Sequence, residues 1–316
     1  MRPDRSKKNA LWLAPLRGVT IRAFREAFAG PLRAAGFVGA FAPFIPANPG
    51  IRVSDRLLDD VRPFPNESNC HSQFAVVPQA ISKDPAALRV LLKGFRDHGF
   101  DRADLNAGCP FPMIRRRGRG SGLFKTPDVL ESLLEAGCDE MGPGKFSLKI
   151  RLGLENPDEL KALMPRINRY PLAVLTVHAR TAKQMYGGTC DIRRFEEVAA
   201  LSTNPVMYNG DVPFSFHSPG TVPLASAAEE PFAVSHASGG LMVGRGFVRA
   251  LGGEDDAAER LRAYIDLSRA ELSGDRPVLG RMKELLAYWC VWPKWRRLWP
   301  MLKICRTVDE LLLVAR

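Results

Sequence analysis

Eight short apolar runs recur along this chain, each followed by a stretch with helical spacing, and this rhythm leaves few folds open to it. The runs centre on Leu11–Pro15, Gly36–Phe44, Gln73–Gln79, Arg102–Asn106, Phe146–Arg151, Val174–His178, Pro205–Asn209 and Gly240–Gly244. Apolar strands alternating with amphipathic helices build parallel βα units, because each crossover helix buries its apolar stripe on the sheet. Runs spaced roughly 25–45 residues apart predict an α/β fold, a (β/α)8 TIM barrel. Thr20 is placed to cap a helix through Phe28, and Ser82 or Asp84 to open one running to His98. Thr126 followed by Pro127 starts a helix to Ala136, and Asn156 with Pro157 repeats that signature. The proline-rich Phe41–Pro49 and the weakly periodic Pro213–Pro231 fit the rhythm least; the second is read as a shortened helix in a long loop. After about residue 250 the pattern is helical only, over Asp255–Leu272, Pro277–Trp289 and Val308–Val314. Two domains follow, a barrel over 1–250 and a small all-helical domain over 251–316.

Polar residues close these apolar strands. Pro15, Gln79, Asn106, Lys149, His178, Asn209 and Gly244 with Arg245 stand at seven of the eight strand ends. Barrel enzymes carry their sites at the C-terminal ends of the strands, so these side chains converge on one mouth. Asn106-Ala107-Gly108-Cys109-Pro110 places a cysteine on a turn there. Arg115, Arg116 and Arg117 are near enough in sequence to lower its pKa and to contact phosphate. Lys149 and Arg151 alternate onto one face, and two cations inside an apolar barrel require an anionic or electron-rich ligand. Gly244-Arg245-Gly246 follows the last strand, where barrels hold phosphate groups.

Charge points the same way. Lys and Arg number 45 against 34 Asp and Glu, a formal net charge of +11, which favours a polyanionic partner such as nucleic acid. Between Tyr288 and Arg306, Trp289, Trp292, Trp295 and Trp299 alternate with Lys294, Arg296, Arg297, Lys303 and Arg306. The six cysteines form no CxxC pair, so no zinc site or other metal is expected. Cys109 alone sits in a chemical setting, and the other five are read as structural. No apolar run reaches the roughly 18 residues of a membrane span. A cytoplasmic monomer with no membrane partner is the expectation.

The segments L-A-P-L-R-G-V-T (13–20), N-A-G-C-P (106–110), K-I-R-L-G (149–153), T-V-H-A-R-T (176–181), Y-N-G-D (208–211) and M-V-G-R-G (242–246) together resemble the tRNA-dihydrouridine synthases. The order and spacing agree over roughly residues 11–250, with Leu16 where that family usually has methionine. The resemblance implies an FMN flavoprotein, reduced by NADPH, that reduces the C5–C6 bond of uridines in tRNA. Pro15, Leu16 and Arg17 would lie against the isoalloxazine, and Gln79, Lys149 and His178 would hydrogen-bond it. Asn209, Gly210, Asp211, Gly244 and Arg245 would hold the ribityl-phosphate tail. Asn106, Arg151 and Arg180 would meet the target nucleotide, and Lys294, Arg296 and Arg297 the tRNA backbone. Cys109 would protonate C5 after hydride reaches C6. The short helical domain with its K-E-x-x-x-Y pattern leans toward the bacterial C-type branch that modifies uridine 16. Two other readings stay open: an FMN barrel oxidoreductase acting on a free small molecule, and a non-catalytic tRNA-binding relative.

Overall fold

The computed structural model describes residues 10–62, 74–216 and 234–315. Its parallel strands are β1 (Leu11–Leu13), β2 (Phe37–Phe41), β3 (Ile45–Pro46), β4 (Ala75–Val77), β5 (Gln79–Ile81), β6 (Ala103–Ala107), β7 (Phe146–Gly153), β8 (Leu175–Thr181), β9 (Val206–Asn209) and β10 (Gly240–Val243). Pairing runs β3-β5-β6-β7-β8-β9-β10-β1-β2-β4. The two ends of that order, β3-β5 and β2-β4, are halves of the same neighbours. Pro78, which has no N–H to give a ladder, divides one extended run into β4, paired with β2, and β5, paired with β3 and β6. Ala42 N donates to Val77 O and Asp104 N to Pro78 O, so this run closes the barrel. The eight expected strands are present, and β3 is an added pairing within the proline-rich segment.

Helices cover the outside: α1 (Arg22–Ala27), α2 (Ala29–Ala34), α3 (Asp55–Leu58), α4 (Pro85–Asp97), α5 (Pro112–Arg115), α6 (Pro127–Met141), α7 (Glu159–Ile167), α8 (Ile192–Leu201) and α9 (Arg245–Leu251). The main core fills the space between strands and helices. A smaller cluster of Ala14, Phe41, Val77, Val174, Met207 and Met242 plugs the barrel interior. Asp84 opens α4, its carboxylate accepting from Ala86 N and Ala87 N, with Pro85 in the first turn. Thr126 makes no side-chain cap, and α6 runs on to Met141. Within α6, a Cβ on Gly137 would lie 2.0 Å from the Phe146 ring, so only glycine lets this helix approach β7 so closely.

Thr20 departs from expectation. Ile21 is the α1 N-cap, while the Thr20 hydroxyl accepts from Leu16 N at 2.7 Å and donates to Ala14 O at 2.9 Å. It staples the loop that carries Pro15, Leu16 and Arg17, because its side chain is buried under that loop. Of the Pro213–Pro231 segment, residues 217–231 lie outside the described residues. Phe214 and Phe216 precede them and pack on Phe247 of α9.

The C-terminal helices are α10 (Ala257–Glu271), α11 (Asp275–Trp289), α12 (Pro293–Ile304) and α13 (Val308–Val314). Sequence periodicity anticipated three of these but not α12, whose tryptophans and basic residues obscure a simple apolar stripe. Its tryptophan-rich approach is an anchor. Trp289, Trp292 and Trp295 donate their indole N–H groups to Val248 O, Arg249 O and Gly252 O. Those carbonyls end α9 and its following turn, where helical partners run out. Among the described residues no helix is long and apolar enough to cross a membrane.

Candidate active site

Strand register builds the site. Arg151 pairs with His178, and His178 with Asn209, so these three form one row across β7, β8 and β9. Asn106 aligns with Lys149 on the neighbouring strands. Pleating turns alternate residues inward, and the result is a cavity of about 1030 Å³ at the C-terminal mouth. Of the sequence-predicted residues, Pro15, Leu16, Arg17, Asn106, Cys109, Lys149, Arg151, His178, Asn209, Gly210, Gly244 and Arg245 line it. Gln79 and Arg180 are buried outside this lining, Asp211 is exposed and paired with Arg180 and Arg245, and Lys294, Arg296 and Arg297 lie away from it on α12.

The cavity floor is a hydrogen-bonded set. Lys149 Nζ donates to Asn209 Oδ1 at 2.8 Å, and Asn209 Nδ2 donates to Met242 O at 2.8 Å. Burial first, and the neighbouring Arg151 charge second, pull the Lys149 ammonium down to about 8. Burial and the surrounding cations hold His178 well below the usual imidazole value, so at neutral pH it is uncharged and retains one N–H to donate.

Cys109 is 7% exposed and its loop is held from three sides. Its backbone N–H donates to Asn106 Oδ1 at 2.9 Å, its carbonyl accepts from the Ser121 hydroxyl at 2.9 Å, and Arg151 Nε donates to Gly108 O at 2.9 Å. Gly120, at φ +55°, passes so close that a Cβ there would sit 2.8 Å from Cys109 Cβ. Burial pushes the thiol pKa up, and the cations that partly counter this are Arg151, Arg17 and Lys149. The expected lowering by Arg115, Arg116 and Arg117 is therefore corrected. Arg116 and Arg117 follow α5 and line the cavity, but the cations that act on the sulfur are other ones, and burial outweighs them. The thiol keeps its proton at neutral pH.

Arg151 and Arg180 are 2% and 1% exposed; Arg180 spends its donors on the protein, and Arg151 spends Nε and Nη1 there while lining the cavity. Arg151 also donates to Thr181 O and Met185 O. Arg180 donates to Gly187 O and Gly188 O and pairs with Asp211. Together they staple the 182–191 loop, whose Tyr186 ring lies 4.8 Å from the Arg245 guanidinium. Arg245 Nη2 reaches Asp211 Oδ1 at 2.7 Å. Cys190 is more than filler: its sulfur accepts from Arg180 Nη1 at 2.8 Å and from Asp211 N at 3.3 Å.

Glu284 and Tyr288, read in the sequence only as part of the K-E-x-x-x-Y pattern and not as site residues, reach the cavity from α11 beside Arg17. Gly18, at φ +80°, packs under Glu284, and a Cβ there would meet Glu284 Oε2 at 2.6 Å. The i, i+4 spacing of Glu284 and Tyr288 puts both on one helix face, a signal that was legible. Phe44, Phe111, Met113 and Tyr186 supply further apolar lining.

Comparison with known proteins decides the family. The family model described as Dihydrouridine synthase (Dus) matches residues 12–249, the whole span that carries these strands and their closing residues. The chain belongs to the dihydrouridine synthase family. It is 28% identical over 211 residues to tRNA-dihydrouridine synthase B of Vibrio cholerae, covering 65% of this chain and 61% of that one. It is 27% identical over 246 residues to the synthase B of Proteus vulgaris, covering 75% of this chain and 67% of that one. A probable tRNA-dihydrouridine synthase of Staphylococcus epidermidis is 31% identical over 134 residues, 41% of this chain, and the match spans 40% of that relative's length. These relatives give no support to the leaning toward the C-type, uridine-16 branch. An old yellow enzyme homologue from Zymomonas mobilis shares the fold at 14% identity and a TM-score of 0.52, covering 77% of this chain and 86% of that one.

Proposed function

We propose that this chain is an FMN- and NADPH-dependent enzyme that reduces uridines in tRNA to 5,6-dihydrouridine, with Cys109 as the proton donor. The observation that carries this reading is a buried, protonated thiol sharing one cavity with a floor of Lys149, Asn209 and neutral His178. A flavin fits that donor set. Lys149 and His178 present donors suited to ring carbonyls, Arg245 supplies a charge for phosphate, and the volume exceeds what a small metabolite needs. When bound, FMN supplies the hydride that reaches uracil C6.

The residues of the chain do the rest. Cys109 holds its proton at neutral pH and releases it as negative charge develops on the base, the behaviour of a positioned general acid. Asn106 holds the Cys109 loop, and its side chain borders the space for the target base. Arg151 and Arg180 act by fixing the two loops around that space. Lys294 and Arg297 are exposed and supply tRNA backbone contacts. Arg296 contributes charge while also donating to Cys290 O and Val291 O at the end of α11. The +11 net charge favours this polyanionic substrate over a free metabolite. The decisive test incubates purified protein with NADPH and tRNA lacking dihydrouridine, followed by nucleoside mass spectrometry. Dihydrouridine in the tRNA is expected; turnover of a small enone with none formed in tRNA sinks the proposal.

Two further results are expected. Flavin affinity falls as pH rises through about 8, because Lys149 loses its charge there and with it the cationic contact to the flavin. Fluorescence of released flavin across about pH 6 to 10 reads this, and a flat profile would remove the Lys149 charge from the site. Replacing Lys294 and Arg297 with glutamine flattens the slope of log affinity for tRNA against log salt by roughly 1.4 to 1.8, for two lost phosphate contacts. An unaltered slope takes α12 out of the tRNA interface.

A further inference from the structure

We infer that Asp104 is a positioning residue for the Cys109 loop, acting as the fixed end of a hydrogen-bond chain through Gln79 and Asn106. This rests on the reading of Cys109 as proton donor. Gln79 Nε2 donates to Asp104 Oδ2 at 2.7 Å, Asn106 Nδ2 donates to Gln79 Oε1 at 2.8 Å, and Asn106 Oδ1 accepts from Gly108 N at 3.1 Å and Cys109 N at 2.9 Å. Asp104 and Gln79 are fully buried, and Asn106 is 8% exposed. Register explains the arrangement: Gln79 and Asp104 are paired neighbours on β5 and β6, and Asn106 lies two residues further along β6 on the same face.

The direction of every bond in this chain is forced from its far end. Backbone N–H groups only donate, so Asn106 must turn its oxygen to Gly108 and Cys109. Its amide nitrogen then faces Gln79, which must answer with its oxygen and turn its own nitrogen to Asp104. The chain therefore needs an acceptor at residue 104. Two amides in series can flip together, and an acceptor oxygen facing Gln79 Nε2 favours the unflipped arrangement. In the flipped one the Asn106 amide N–H groups would confront the two loop N–H groups. Asp104 Oδ1 has no hydrogen-bond partner among the described residues. Burial pushes the Asp104 carboxyl up to about 7. A proton on Oδ1 leaves Oδ2 an acceptor, so either protonation state supports the chain, and the requirement is for acceptor geometry rather than charge. Gln79 thus links Asp104 to the loop, with each end of its amide engaged once.

The test compares Asp104→Asn, Asp104→Leu and Gln79→Met in the flavin-loaded full-length protein. Alkylation of each cysteine by iodoacetamide is followed by peptide mass spectrometry, alongside dihydrouridine formation. Asp104→Leu and Gln79→Met should each change the Cys109 alkylation rate about tenfold, the scale of one buried hydrogen bond, and leave Cys138 and Cys305 unchanged. Asp104→Asn, which can still present an oxygen to Gln79, should restore the Cys109 rate to within about twofold of the parent. An unchanged Cys109 rate in either apolar variant overturns the inference. So does an Asn variant that behaves like the Leu variant, since charge would then be the requirement. Should Asp104→Leu not fold, Gln79→Met breaks the same chain at its middle and decides alone. Alkylation needs no tRNA, so the expected alkylation pattern with no dihydrouridine from the parent protein would overturn the proposed activity and leave the role of Asp104 standing.

Discussion

Cys109→Ala is expected to retain flavin and tRNA affinity while slowing uridine reduction by about a hundredfold or more, the usual scale of a lost general acid. The substitution removes one sulfur from a loop whose position does not depend on it. Asn106, Ser121 and Arg151 grip the backbone of Gly108 and Cys109, and alanine leaves every one of those bonds in place. What disappears is the only thiol at the cavity among the described residues. Single-turnover reduction of tRNA by the pre-reduced variant separates the proton transfer from substrate binding. Turnover close to the parent rate would show that another group, or water, delivers the proton.

Trp289→Ala is expected to cost about 3–5 kcal/mol and to lower the melting temperature by roughly 10 °C. Trp289 is fully buried and stands where three elements meet. It packs against Phe28 of α2's entry and against Trp295, with centroids 6.3 and 4.9 Å away, and it donates to Val248 O of α9 at 2.9 Å. Gly252 lies so near that a Cβ there would come within 2.6 Å of the indole. Alanine leaves a cavity on this seam and an unpaired carbonyl at the end of α9. The effect reaches the site, because α11 carries Glu284 and Tyr288 into the mouth. Thermal unfolding of the two proteins measures the loss; a melting temperature near that of the parent would mean the helical region is held to the barrel by other contacts.

These two residues mark where sequence reading succeeded and where it stopped. Cys109 lies in a short motif after an apolar strand, and the polar residues that close the other strands follow the same local rule. Strand, turn and closing residue are contiguous in the chain, so periodicity and turn chemistry expose them together. Trp289 also stood out, but within a basic, aromatic stretch whose pattern could not show that its indoles cap α9. That depends on how α11 docks, a matter of surfaces far apart in the chain.

The same division runs through the site. The amino-acid sequence by itself determined the barrel, the mouth at its strand ends, and many of the residues that line that mouth, because a two-residue strand period dictates which side chains point inward. Only the tertiary structure decided how those residues are used. Register between β5 and β6 set Asp104, Gln79 and Asn106 in line. Burial, rather than the nearby run of arginines, set the state of the Cys109 thiol. Docking of α11 completed the cavity with Glu284 and Tyr288. Each of these depends on the distances between side chains on separate elements, and spacing along the chain does not encode those distances.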